Sequence, residues 1–250
     1  MLVGFPQQLS KLSNPSLSLP STHPIPPCTS DCNLGFIFGS SLSFVKQISK
    51  LSSTCHYHIH DLCNIKHTLD FNTASTIATS LIHSHLDYCN SFYYFLPSFQ
   101  LHHLKSIQNA LGRAVSHTHL HAPITPTLQS LHWLTIEQCI QYKVMSIWCS
   151  TQLWTYLPSS SYTPRSRGSI RFADWLCLCP TPLTSRLKFS DSSFRNGPLH
   201  LWNNLPLSLR SYSSCNTTSS TTLSFPQLAF SCLRFLSHLK THLFTLSYPP

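Results

Sequence analysis

Phe44, Ile48, Leu51, Cys55, Ile59 and Leu62 recur at steps of four, three, four, four and three residues. A strand, whose side chains alternate between faces, would scatter these six over both sides, whereas an α-helix gathers them into one stripe. Lys46 and Lys50 then fall on the opposite face. A helix with such a stripe needs a second apolar surface to cover it, because most helical stability comes from packing the apolar face. The spacing predicts further helices. One runs from about Asn72 to Tyr88 with Ala74, Ile77, Leu81 and Tyr88 inward, and another from about Ser98 to Ser116 with Leu101, Leu104, Ile107, Leu111 and Val115 inward. Pro97 suits the first turn of the latter, where no amide donor is needed. Beyond a proline-containing turn, "APITPTLQSLHWL", a fourth helix is expected from Ile136 to Cys149 with Ile140, Val144 and Ile147 inward.

Before Phe44, the apolar runs "MLVGF", "SLSLP" and "LGFIF" are separated by Pro, Ser and Asn. They read as short strands joined by turns, marginal alone without a layer over them. Residues 151–196 are rich in Ser, Pro and Thr without a sustained period and read as loop with one short strand, and "SYSSCNTTSSTTL" at 211–223 reads as a low-complexity linker. A last helix is expected through Leu233, Leu236, Leu239 and Leu243. The expected fold class is therefore mainly α with a small N-terminal β segment (α+β). Its parts are strands in 1–43, a helical bundle-like region in 44–150, an irregular tail in 151–223 and a C-terminal helix in 224–250.

Charge narrows the partners. Only 9% of residues are charged, against about 25% in ordinary soluble domains. The net charge of +9 arises from eight Lys and eight Arg against six Asp and the single Glu137, so the chain is basic mainly because acids are scarce. That balance favours diffuse attraction to polyanions over a dense phosphate-reading patch. The opening "MLVGFPQQLSKL" lacks a charged start followed by a long apolar run, and no apolar stretch reaches membrane-spanning length. An intracellular setting, nuclear or cytoplasmic, with no membrane partner is the expectation. There the eleven cysteines, odd in number and irregular in spacing, are expected as thiols.

Catalytic templates are missing. Two-metal nucleotidyl transfer needs carboxylates close enough to hold cations about 4 Å apart, yet Asp61, Asp70, Asp87, Asp174, Asp191 and Glu137 are scattered over different expected elements. There is no glycine-rich phosphate loop, no GxSxG elbow and no HExxH helix. The residues support neither an enzyme nor a cofactor.

Six strings occur in order: "NLGFIFGSSLSF" at 33–44, "SLIHSHLDYCNS" at 80–91, "LKSIQNALGRAV" at 104–115, "ITPTLQSLHWL" at 124–134, "LWNNLP" at 201–206 and "LKTHLF" at 239–244. Together they resemble the carboxyl-terminal end of the reverse transcriptase of LINE-type non-LTR retrotransposons, of the L2 and CR1-like kind, over essentially the whole chain. The resemblance implies the last palm strands and the hairpin into the thumb at 1–43, the helical thumb and the segment after it at 44–150, and the element's tail beyond. It also implies that the polymerase aspartates lie upstream of the stretch matching Met1.

The stretch "CHYHIHDLCNIKH" at 55–67 invites a different reading. On a helix, His56, His60 and Cys63 form one stripe at steps of four and three, a spacing that suits two zinc ligands and a third. His67 continues the stripe but lies about 16 Å along the axis from His56, too far to close the same tetrahedron. A fourth ligand has to come from elsewhere, with Cys28 and Cys32 of "CTSDC" as weak candidates. The resemblance offers a competing account, since relatives commonly carry arginine where His60 and Cys63 stand and tend to show a basic residue where this chain has Cys139 or His85. Arginine codons beginning CG become His, Cys, Gln or Trp by single transitions, so an eroding copy would lose Arg and gain these residues. "HTHLH" at 117–121 fits that account, and "CLC" at 177–179 reads as an incidental thiol pair.

Trp133, Trp148, Trp154, Trp175 and Trp202 are expected in cores or contacts rather than as base-stacking platforms. The remaining basic flank of the third helix, His102, Lys105 and Arg113 beside Asn109, is the best place for phosphate contact. The functional expectation is a truncated, decayed, non-catalytic reverse-transcriptase fragment. It binds nucleic acid at most weakly and without sequence preference, through Lys46, Lys50, Lys105 and Arg113. The alternatives are a small metal-binding module at His56, His60 and Cys63, or an unexpressed reading frame that yields no stable fold because missing palm strands leave a sheet edge open.

Overall fold

The computed structural model describes residues 4, 6–12, 28–41, 43–94, 96–119, 121–151, 196–210 and 225–249. They are mostly helical, and the one sheet among them is a two-stranded hairpin near the N-terminus, so the chain is mainly α with a small β segment. Two compact units form, one of Met1–Cys89 with Pro97–Ala122, the other of Asn90–Leu96 with Pro123–Pro250.

In the first unit a short helix α1 (Pro6–Leu9) precedes strands β1 (Ser30–Asn33) and β2 (Phe36–Gly39), which pair antiparallel with Asn33 opposite Phe36. This register leaves a two-residue loop, Leu34–Gly35, of the kind that needs positive φ at both positions. Gly35 takes φ 83° freely, whereas Leu34 holds φ 49° at a steric cost. The Tyr88 hydroxyl donates to the Leu34 carbonyl and ties the loop down. Of the expected strands, "LGFIF" becomes β2, but its partner β1 comes from the polar "SDCN". "SLSLP" lies outside the described residues, as does most of "MLVGF", whose Gly4 amide donates to the Ser40 carbonyl.

Helix α2 (Val45–Ile65) buries Ile48, Leu51, Cys55, Ile59 and Leu62, the expected stripe, with Phe44 at its N-cap. Gln47 is buried as well because its Oε1 accepts from the Ile37 amide at 2.9 Å, fastening α2 to β2. After a 3-10 turn (Lys66–Thr68), the Asp70 side chain caps α3 (Phe71–Ile77) by accepting from the Thr73 amide at 3.1 Å. Helix α3 runs straight into a π-helical stretch (Ala78–His83) and then α4 (Ser84–Asp87).

Here the expected inward face is corrected. Leu81 and Tyr88 are 48% and 46% exposed, and the buried residues are Ala74, Ala78, Ile82 and Leu86. In an α-helix each four-residue step drifts by about 40°. The wider π turn, with its i→i+5 bonds, absorbs that drift and keeps all four residues on one line. Helix α5 (Ser98–Ser116) matches its expected bounds and buries Leu104, Ile107, Leu111 and Val115 against α2, with Leu101 half-buried. It ends at His117 in the left-handed conformation, φ 54°, a stop that glycine or asparagine usually provides.

In the second unit the segment read as a turn holds helix α6 (Thr125–Ser130), because Pro126 sits in its first turn, where proline fits. Helix α7 (Ile136–Thr151) buries Ile140 and Val144 as expected and adds Met145, Trp148 and Cys149, while Ile147 is half-buried. Two helices, α8 (Gly197–Asn204) and α9 (Leu207–Arg210), fall inside the stretch expected to be irregular; Pro198 again starts the first of them. The strand and linker expected elsewhere in that tail lie outside the described residues.

Helix α10 (Phe225–Ser247) buries Leu239 and Leu243 but exposes Leu233 at 68%. Leu233 lies six residues before Leu239, about 120° round the helix, whereas Cys232 is seven before it, about 20° off, and takes the inward place. The core joins Leu134, Met145, Trp148, Cys149, Trp202, Leu205, Leu239 and Leu243. The Trp202 ring lies 5.7 Å from Trp148 and 5.5 Å from Phe235. The Tyr248 hydroxyl donates to the Trp133 carbonyl at 2.6 Å. Residues Asn90–Tyr93, a 3-10 turn, pack on α7 with Asn90 and Tyr93 buried. Among the described residues no helix is long and apolar enough to cross a membrane.

Candidate nucleic-acid interface

A groove with a cavity volume of about 480 Å³ opens in the first unit, lined by Cys63, Lys66, His102, Ser106, Asn109, Ala110, Arg113, Ala114 and Thr118. Cys63 comes from α2 and Lys66 from the turn that ends it, while α5 supplies most of the rest. His102, Ser106, Asn109 and Arg113 stand at steps of four, three and four, so α5 presents them as one polar stripe about 17 Å long beside its buried face. The lining contains cationic and hydrogen-bonding side chains and no Asp or Glu. Arg113 is half-buried, and its Nε is shielded from solvent without a hydrogen-bond partner.

The four cations named from sequence are not brought together. Arg113 lines the groove, and Lys105 is half-buried on α5 outside the lining. Lys46 and Lys50 are exposed in the first turns of α2, and Lys46 Nζ donates to Ser30 Oγ at 3.0 Å. Along α2, Lys46 is roughly 30 Å from Lys66, so the two ends address different stretches of any bound strand.

The metal alternative is placed differently from its expectation. His56 Nδ1 donates to the carbonyl of Ser52, one turn back, at 2.8 Å. His60 Nδ1 lies 3.3 Å from Asn64 Nδ2 and 4.0 Å from the Asp61 carboxylate, with both His60 and Asp61 largely in solvent. Cys63 faces the groove, and Cys28 and Cys32 are exposed. Among the described residues no three His, Cys, Asp or Glu side chains converge as a metal ion requires.

Sequence reading found His102, Asn109 and Arg113 because they share one helix. It missed Lys66 and Thr118, which the fold brings alongside from outside that helix. Trp133, Trp148 and Trp202 are buried, as expected of core residues, and Trp154 and Trp175 lie outside the described residues. Comparison with protein-family models, curated proteins and solved structures finds no match to this chain. The likeness to retrotransposon polymerases therefore rests on the six sequence strings.

Proposed function

We propose that the chain is a non-catalytic fragment derived from a retrotransposon reverse transcriptase. It binds nucleic acid weakly and without sequence preference, seating phosphates along the groove beside α5. What supports this reading is the composition of the lining: Lys66 and Arg113 carry charge, and His102, Ser106, Asn109 and Thr118 offer hydrogen bonds, with no carboxylate among them. Contacts of this kind position a backbone and carry no sequence information. The non-catalytic part of the reading is supported by the scatter of the acids along the sequence; Asp70, for one, is committed to capping α3.

Two groove cations set the expected affinity profile. On a short single strand the log–log salt slope should be near −1.4, a loss of about sevenfold between roughly 50 and 200 mM salt. Fluorescence anisotropy on two unrelated oligonucleotides across a salt series is the test. Replacing Lys66 and Arg113 together by Gln should flatten the slope by about 1.4 for both sequences alike. Salt-insensitive or sequence-selective binding, or an unchanged slope in the double variant, would overturn the proposal.

A further inference from the structure

Exposure falls along the polar stripe of α5. His102 and Ser106 stand in solvent, while Asn109 and Arg113, further along the helix, are half-buried. Ala110 and Ala114 line the groove on the same stretch, and their small side chains leave room that longer ones would fill. Lys66 enters the groove from the turn after α2 and is itself half-buried. The Arg113 Nε is enclosed and its hydrogen has no acceptor. An enclosed donor left unpaired costs free energy that an arriving acceptor restores. A guanidinium offers its donors as a planar fork that meets two oxygens of one phosphate at once. The cavity, about 480 Å³, falls within the roughly 300–1,000 Å³ of small-molecule sites, room for one nucleotide with its phosphate rather than for a length of duplex.

Taking this groove as the nucleic-acid site proposed above, we infer that it selects the end of a strand: a terminal phosphomonoester sits on Arg113 and Lys66, and the nucleotide that carries it lies over Asn109, Ser106 and His102. A phosphodiester inside a strand brings one negative charge and two free oxygens. A phosphomonoester at neutral pH brings about −1.5 to −2 and three acceptor oxygens. That matches two cations, the amide donors of Asn109 and a lining without carboxylates. The enclosed Nε is the donor that a backbone phosphate passing along the exposed part of the stripe would leave unpaired. A free nucleoside monophosphate carries the same group as a strand end, so the two sources have to be separated by experiment.

The test is fluorescence anisotropy of the full chain at low salt, on one short oligothymidylate labelled at its 3′ end and carrying either a phosphate or a hydroxyl at its 5′ end. The phosphorylated strand should bind about tenfold more tightly, the factor that one charge-assisted hydrogen bond supplies. Arg113→Lys keeps a charge and loses the fork, so it should lose most of that preference. Competition with adenosine 5′-monophosphate separates the sources. Displacement at concentrations comparable with the phosphorylated strand's own makes the ligand a free nucleotide, and displacement only at much higher concentrations makes it a strand end. If Arg113→Lys does not fold, Cys63 of the wild type reports occupancy, being a free thiol in the lining. Adenosine 5′-monophosphate should slow its alkylation more than adenosine does, with exposed Cys28 labelled alike in both. Equal affinity for the two strands, a preference that survives in full in a folded Arg113→Lys chain, or equal alkylation of Cys63 with nucleotide and nucleoside would overturn the assignment. The same titrations read the salt-dependent binding of the hydroxyl-ended strand. Its persistence without an end preference sinks this assignment alone, whereas its loss sinks the nucleic-acid reading beneath it as well.

Discussion

Replacing Trp202 by alanine separates a structural role for the aromatic residues from a base-stacking one. Trp202 is 2% exposed, with its ring against Trp148 and Phe235. A large aromatic buries roughly 150–250 Å², worth about 4–6 kcal/mol at about 25 cal/mol per Å². Alanine retains part of that, and the cavity left behind adds a cost that depends on how far the surroundings collapse. Loss of about 3–5 kcal/mol is expected, the range found when core tryptophan or phenylalanine is cut to alanine. That is a large share of the 5–15 kcal/mol or so that holds an ordinary domain together. Trp202→Phe keeps an aromatic ring in the cluster and should lose less. Urea unfolding followed by far-UV circular dichroism gives the change from the midpoint and slope, and anisotropy at low salt gives binding by the folded protein. The expected pattern is a much lower midpoint with unchanged affinity. An unchanged midpoint with weakened oligonucleotide binding would refute the packing argument and make Trp202 a stacking platform.

The π-helical register makes Leu81→Ser nearly neutral, within about 0.5 kcal/mol, while Ile82→Ala should cost about 2–5 kcal/mol; the reverse ranking in urea unfolding would mean that this segment is a plain α-helix. Asp70 accepts from the Thr73 side chain and amide, which holds its carboxyl below the usual carboxylate range. A carboxylate with a lowered folded-state pKa stabilises above its unfolded pKa and loses that contribution as pH falls through the folded value. Asp70→Ala should therefore be less stable than wild type at neutral pH. The gap should close only on acidification below about pH 4, and a gap that persisted in acid would exclude the carboxylate as its source.

The regular helices were legible because their stripes keep the α-helical period: α2 and α5 bury the residues that spacing marks, apart from Phe44 and Leu101, which are half-buried. Ala78, Ile82 and Leu86 were not, since continuing from the buried Ala74 by steps of four makes sense only once a π turn is known to be there. Pro126 read as part of a turn and turned out to sit in the first turn of a helix, because proline serves equally well in both places. Leu233 was misplaced by a single residue, enough on a helix to rotate a side chain out of the core. At the groove, the part carried by α5 was readable from one helix, whereas Lys66 and Thr118 join it only through the path of the folded chain.

The small excursion Asn90–Leu96 has a consequence for how the chain is made. It interrupts the sequence of the first unit but belongs to the second, where Tyr93 ends up 1% exposed in contact with neighbours that include α7. Ribosomes deliver the chain from the amino terminus at about 5–20 residues per second, so the stretch between Ala122 and Tyr248 takes roughly 6–25 s to appear. Through that interval the first unit has all its own parts, while Asn90 and Tyr93 are already synthesised and have no α10 to complete the unit that shelters them. A nascent chain thus passes through a stage in which the parts of its earlier unit are all present while Tyr93, already made, still lacks the later helix it packs against.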